Sequence, residues 1–392
     1  MRSLGLVLAL AFSLSIFVLA SPSAGSADRA SAGAMQAERT IEKQLSAVPG
    51  QKLSLDLETG GNLKITGWQN NSVSVKAYLG GTDWQGCTVD INQASDGVNV
   101  ISRHPADRNS YSTDFRFEIQ VPQQFDVRIK SAGGGIDIAN IEGDVRGSTG
   151  GGAMNIAEAK GKLNLTTGGG NITVTHSELD GRVSTGGGRI LIQDVKGDFN
   201  GTSGGGNVEL RNVTRRSGES TGDAIHITNA GGAITVEDAP AGADVKTGGG
   251  NIHIKSARGW VKASTGGGII EIDAVDGSVH ATTGAGRISV HVVGDSSENG
   301  RDVFITSGSG DINLTVPPEF SMALDLKVGF TRIDKQYRII SSFQIERETT
   351  DEWSSAEGTA RKYIYGRGTI AGGRNKVHIE TVNGSINLQA QR

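Results

Sequence analysis

Glycine pairs and triplets recur along the middle of this chain at a nearly constant interval, and an aliphatic residue stands two places after each of them. These anchors are Ile136, Met154, Ile172, Ile190, Val208, Ile234, Ile252, Ile270, Ile288 and Ile312. Their successive positions differ by 18, 18, 18, 18, 26, 18, 18, 18 and 24. A second aliphatic column follows two places on, from Ile138 and Ile156 to Val290 and Leu314. A fixed short period of this kind belongs to stacked repeats, in which one unit cannot bury its own apolar face and needs neighbours above and below.

Within each unit the pattern alternates with period two, which predicts strands with one buried face. Ile-x-Ile forms one strand, and seven to nine places upstream Val145 and Gly147, Leu163 and Leu165, and Val261 and Ala263 form another. Two short strands per unit then meet at the glycines and at a second corner placed after Ile141, Val195, Val213, Val275 and Val293. The fold class predicted is all-β: a single-chain parallel β-helix with about 18 residues per turn and β-rich capping regions at both ends. The glycines are expected to supply positive φ at the first corner and to let successive backbones approach closely.

The outward columns carry polar residues. Arg211, Glu237, Lys255, Asp273 and His291 alternate in sign on successive units, a spacing that avoids stacking like charges across strands. Ser148, Thr166, Ser184, Thr202, Ser264, Thr282 and Thr306 form an outward hydroxyl column expected to satisfy corner backbone groups, with the adjoining Thr149 column facing inward.

Composition agrees with this reading and removes others. There are 58 glycines but only 7 prolines and no Gly-X-Y period, so collagen is excluded. Aromatics at 5% are too few for a conventional globular core of 392 residues, and hydrophobics at 36% exclude a polytopic membrane protein. A formal charge of −4 leaves no electrostatic footprint for nucleic acid. The single cysteine, Cys87, rules out an internal disulfide and a multi-thiolate metal cage.

The domain boundaries read as 1–27 signal peptide, 28–50 linker, 51–130 N-terminal β cap, 131–316 repeats, 317–380 C-terminal β cap or insertion, and 381–392 last turn and tail. Leu4 to Ala20 is an apolar run after Arg2, followed by small residues, which is the layout of an export signal cleaved after Ala20 or Ala27. A membrane tie is expected only if that segment stays uncleaved. Thr59 to Ile65 copies the repeat inside the N-terminal cap, and Asn383 to Leu388 returns to it at the far end. Both departures from the period enlarge one corner, around Thr214 to Asp223 and Gly294 to Arg301, and insertions gathered on one edge mark the expected contact surface.

From Leu53 to Leu388 the chain resembles a family of bacterial extracytoplasmic proteins of unknown function, named as adhesins and built from β-strand repeats. The resemblance rests on Gly60 to Trp68 (Gly-Gly-Asn-Leu-Lys-Ile-Thr-Gly-Trp), Val121-Pro122, the repeated Thr-Gly-Gly-Gly-Asn-Ile and Asn383 to Ile386. It implies a β-helical envelope protein without known catalysis.

No glycine motif here cradles a phosphate, because each leads into Ile-x-Ile rather than a helix, and no nine-residue calcium repeat occurs. Parallel β-helices also host polysaccharide lyases and hydrolases, whose carboxylates gather on one face. The nearest match is Glu158, His176 and Asp194, four places after successive anchors, a candidate surface site for metal binding or proton transfer. The expected function is therefore a non-enzymatic, exported binding or scaffold protein, periplasmic or at the cell surface, with no cofactor, no nucleotide and an envelope glycan or cell-surface protein as partner. The alternative is a carbohydrate-active enzyme.

Overall fold

A computed structural model describes residues 39–106, 112–214, 225–294, 300–331, 336–355 and 358–391. The signal segment at 1–27 and most of both enlarged corners, at 215–224 and 295–299, lie outside the described residues. What is described is all-β. The 30 strands belong to one hydrogen-bonded network, and the only helical element among the described residues is a 3₁₀ turn at Trp84–Gly86.

The pairing follows the period. Strands Ile136–Ala139, Met154–Ala157, Ile172–Thr185, Ile190–Lys196 and Val208–Thr214 run parallel and in register, so that Ile136, Met154, Ile172, Ile190 and Val208 are direct neighbours. Val208 then pairs with Ile234 across the longest unit, and the ladder continues through Ile252, Ile270, Ile288 and Ile312. A second parallel ladder takes the other strand of each unit, from Asp126–Ser131 and Glu142–Thr149 onward to Val303–Ser307. Every anchor is buried, and with the facing aliphatics they form one continuous apolar cluster. Where the facing position is glycine, a larger neighbour fills the space: a Cβ on Gly181 would lie 2.3 Å from the buried ring of Phe199.

The glycine corners work by contact rather than by handedness. Among the triplets from Gly150 to Gly268 no residue has a left-handed φ, which corrects the expected role of positive φ there, while the first and last clusters keep it at Gly134 (φ 94°) and Gly310 (φ 147°). The third glycine is required because its backbone lies against that of the preceding repeat. A Cβ on Gly170, Gly188 or Gly268 would sit 2.0, 2.0 or 1.9 Å from the carbonyl oxygen of the preceding third glycine. The middle glycines have open space; Gly169 and Gly187 meet nothing within 4 Å.

The hydroxyls that hold this corner are the buried ones, not the outward column. Thr167, Thr185, Thr247, Thr265 and Thr283 each donate from Oγ1 to a third-glycine carbonyl of the preceding unit, at 2.8–2.9 Å. Several accept in turn from a glycine N–H of their own corner, as Thr185 does from Gly188 at 3.0 Å. Strand pleating points Ser148, Thr166 and Thr202 to solvent instead, and Ser148 reaches only Ile129 O at 3.5 Å.

Both ends repeat one device. Leu53 pairs with Val127 and Leu63 with Ile136, so the Thr59 to Ile65 copy joins the ladders after a long excursion of the chain. At the far end Val377 pairs with Val303 and Ile386 with Ile312, after an excursion of similar length. The strand Asn375–Val382 thus returns to the ladder before residue 381. Each excursion folds into antiparallel strands: Ser72–Gly80 with Asp114–Pro122 at one end, Met322–Phe330 with Lys362–Ile370 at the other. The outermost strands, Arg39–Ser46, Thr88–Ala94, Ile339–Ser341 and Glu346–Thr349, are short or charged, which blunts edge-to-edge pairing.

Candidate functional site

Glu158, His176 and Asp194 stand one above another at the second corner, in a column that starts at Asn140 and ends at Asn212. All five adopt left-handed backbone, with φ of 59°, 53°, 49°, 54° and 47° in chain order. The corner therefore turns at this residue, one place before Ile141 and Val195 rather than after them. In Ile172–Thr185 the strand pairing runs on through it. Asn, Asp and His enter this region more readily than other side chains, which accounts for four of the five identities without reference to chemistry.

The side chains do not converge on one point. His176 Nε2 lies 3.7 Å from Asp194 Oδ2, and the His176 side chain is 67% exposed. Asp194 accepts from Asn212 Nδ2 at 2.7 Å and from Gln193 Nε2 at 3.1 Å. Those two hydrogen bonds, with a smaller contribution from His176, hold its carboxyl below the usual carboxylate range. Such a group stays ionised at neutral pH and is a poor proton donor. Glu158 shares no ion pair or side-chain hydrogen bond with His176 among the described residues, and no cluster of three or more His, Cys, Asp or Glu there is placed to hold a metal ion.

Other polar columns are more ordered. Lys255 Nζ is 2.8 Å from Glu237 Oε1, the contact expected from alternation of sign, whereas Asp273 is taken by His253 Nε2 at 2.8 Å. On the outer face of the second ladder, Arg128 pairs directly with Arg146, and Asn164, Arg182 and Asn200 follow on successive strands. This stacking of two arginines escapes a reading that follows sign only in the column of Lys255; aligning the residues eight places before each anchor exposes it. Near the C-terminal end Phe304 lies between His280 and His378, with centroids 6.2 and 6.5 Å away.

Cys87 is a free thiol with Sγ 3.5 Å from His104 Nδ1. Burial, helped by Asp83, pushes the thiol up, away from the thiolate a nucleophile needs.

No family model and no curated protein matches the sequence. Among solved structures, the chain is similar to a candidate cell adhesion protein from Clostridium sporogenes, at 11% identity and a TM-score of 0.21, covering 90% of this chain and 100% of that one. A candidate adhesin from Bacteroides fragilis gives 10% identity and a TM-score of 0.24, over 90% and 98% of the two chains. A candidate lipid binding protein from Parabacteroides distasonis gives 9% and 0.23, over 90% and 97%. Likeness this slight supports no conclusion about role. Among the described residues no helix is long and apolar enough to cross a membrane.

Proposed function

We propose that this chain is an exported, non-enzymatic binding or scaffold module of the bacterial cell envelope, wound as a single-chain parallel β-helix. The observation that carries the winding is the constant offset between paired anchors, repeated from Ile136 to Val208 and again from Ile234 to Ile288. A stack of this kind fixes long outward columns at strand spacing, a surface that holds an extended partner through many weak contacts. Export is supported by the apolar run at Leu4 to Ala20 and the small residues after it. The adhesin-like reading draws on the sequence motifs from Gly60 to Ile386, and its partner is an envelope glycan or a cell-surface protein.

Antibody detection in fractionated host cells tests the location, with purified chain incubated with intact cells and isolated envelopes to test the binding. Recovery in the cytoplasm, or no retention by envelopes, overturns the proposal. A polysaccharide-cleaving activity lost in Asp194→Ala overturns its non-enzymatic part.

A further inference from the structure

Charge alternates between successive units elsewhere on this surface. Glu142, Lys160, Glu178 and Lys196 follow one another across one corner, each beside a residue of opposite sign. The outer face of the second ladder departs from this. Arg128 lies directly against Arg146, Lys130 stands one pleat further along the same strand, and Arg182 is two strands on from Arg146. Like charges opposite each other across strands are destabilising, so an arrangement that keeps them calls for a compensating partner.

Among the described residues that compensation is partial: Asp96 lies within electrostatic reach of Arg128, and Asp56 stands opposite Lys130. Arg146 reaches only Asp144, at 3.8 Å, and among the described residues Arg128, Lys130 and Arg182 form no ion pair. All four cations are exposed. Carboxylates share this face, half-buried and engaged: Asp56 is paired with Arg103 and Asp144 with Arg146, while Asp126 and Asp180 accept the backbone N–H groups of Asp144 and Asp198 at 2.8 and 3.1 Å, and Asp198 lines the same depression as Asp180. Two depressions, of about 490 and 450 Å³, adjoin here and share Arg146 and Asn164. Together they form a shallow groove running across the strands from Arg128 to Asn200.

We infer that this groove binds an acidic polysaccharide chain whose sugar units carry carboxylates. Guanidinium forks match carboxylates in a bidentate geometry, and their planar faces suit a sugar ring. Asn164 and Asn200 sit between and beyond the arginines, where amides can exchange hydrogen bonds with sugar hydroxyls. A linear polymer fits because the cations recur along the stacking direction, at steps of one or two strand spacings, each spacing about 4.8 Å. A neutral glycan would leave the arginine repulsion unrelieved. The inference depends on the envelope role only for where the ligand is met; the contact is a property of the purified chain.

The test is titration of the full chain with polygalacturonate, with dextran and duplex DNA as comparators. Saturable binding to polygalacturonate and none to dextran is expected, weakening as salt rises because the groove is open to solvent. Arg146→Glu combined with Arg182→Glu is expected to raise Kd by at least about tenfold. Arg287→Glu, an exposed cation at a glycine corner, should leave Kd unchanged. Circular dichroism of each variant checks that the fold persists. The inference is overturned by unchanged affinity in the double variant, by equal binding of dextran, or by DNA competing on equal terms. Unchanged polygalacturonate affinity in the double variant, with envelope retention intact, removes this inference and leaves the proposed function; polygalacturonate binding lost in the double variant, without envelope retention by the parent, does the opposite.

Discussion

Alanine at the third glycine of a corner and alanine at the middle one should have opposite effects, although the two residues are adjacent and of one type. A Cβ on Gly188 would stand 2.0 Å from Gly170 O and 2.4 Å from its carbon, far inside the 3.0 Å that real Cβ atoms respect. Relief requires the two repeats to part locally by about 1 Å, against a strand spacing of about 4.8 Å. Four hydrogen bonds cross that junction: Gly186 N–H to Thr167 O at 3.1 Å, Arg189 O accepting from Ile172 N–H at 2.9 Å, Arg189 N–H to Asn171 Oδ1 at 2.8 Å, and Thr185 Oγ1 to Gly170 O at 2.8 Å. Each contributes about 1 kcal/mol net, and a stretch of that size takes all four out of bonding range, so Gly188→Ala should cost about 4 kcal/mol. Gly187 meets nothing within 4 Å and its φ is outside the left-handed region. Gly187→Ala should be neutral or stabilising by up to about 1 kcal/mol, through the lower entropy of the unfolded chain. The protein already makes this distinction, since Ala285 and Ser309 occupy middle positions while Gly286 and Gly310 keep the third. Urea unfolding followed by circular dichroism measures both variants. Equal losses in the two, or a Gly188→Ala midpoint like that of the parent, would refute the contact argument.

Further expectations follow from the same corner and its opposite. Thr185→Val strips the donor to Gly170 O and the acceptor for Gly188 N–H, and should cost about 1–3 kcal/mol in urea unfolding, while outward Ser184→Ala stays within about 0.5 kcal/mol. Phe199→Ala empties the space over Gly181 and should cost about 3–5 kcal/mol by the same assay. Glu158→Gly should leave stability unchanged or raise it by up to about 1 kcal/mol, because φ there is 53°, whereas Glu158→Val lowers it; a large loss in the glycine variant would contradict the backbone account of that column. Asp194 and Glu237 both titrate below their ordinary values, Asp194 chiefly through Asn212 and Glu237 chiefly through Lys255. Their contribution is present above the unfolded-state pKa, near about 4, and is lost as pH falls through the lowered folded values. Glu237→Gln should therefore flatten the acid side of a stability–pH curve, and an unaltered curve would count against the Lys255 pairing.

The sequence predicts the pairing of Met154 with Ile172 because burial imposes a period that glycine and isoleucine both report. The inward Thr149 column is legible for the same reason, since it keeps strand parity with the anchors. The left-handed corner is harder to foresee. Asn140, Glu158, His176, Asp194 and Asn212 share a backbone state but no side-chain chemistry, so a reading by residue type sees a carboxylate and histidine cluster instead. The partners of the terminal repeats are also hidden, because Leu63 meets Ile136 across an excursion that no local period announces.

Those distant partners set the order in which the molecule can assemble. A central unit pairs with its neighbour across a single repeat, as Met154 does with Ile172. The first and last units must wait for chain segments about four times as far away in sequence, as Leu63 to Ile136 and Ile312 to Ile386 require. The loop-closure difference is only about 1.2 kcal/mol, but it falls on the step that seals each end. Folding should therefore start in the middle and finish with two clasps, leaving the sticky ends of the zipper open longest.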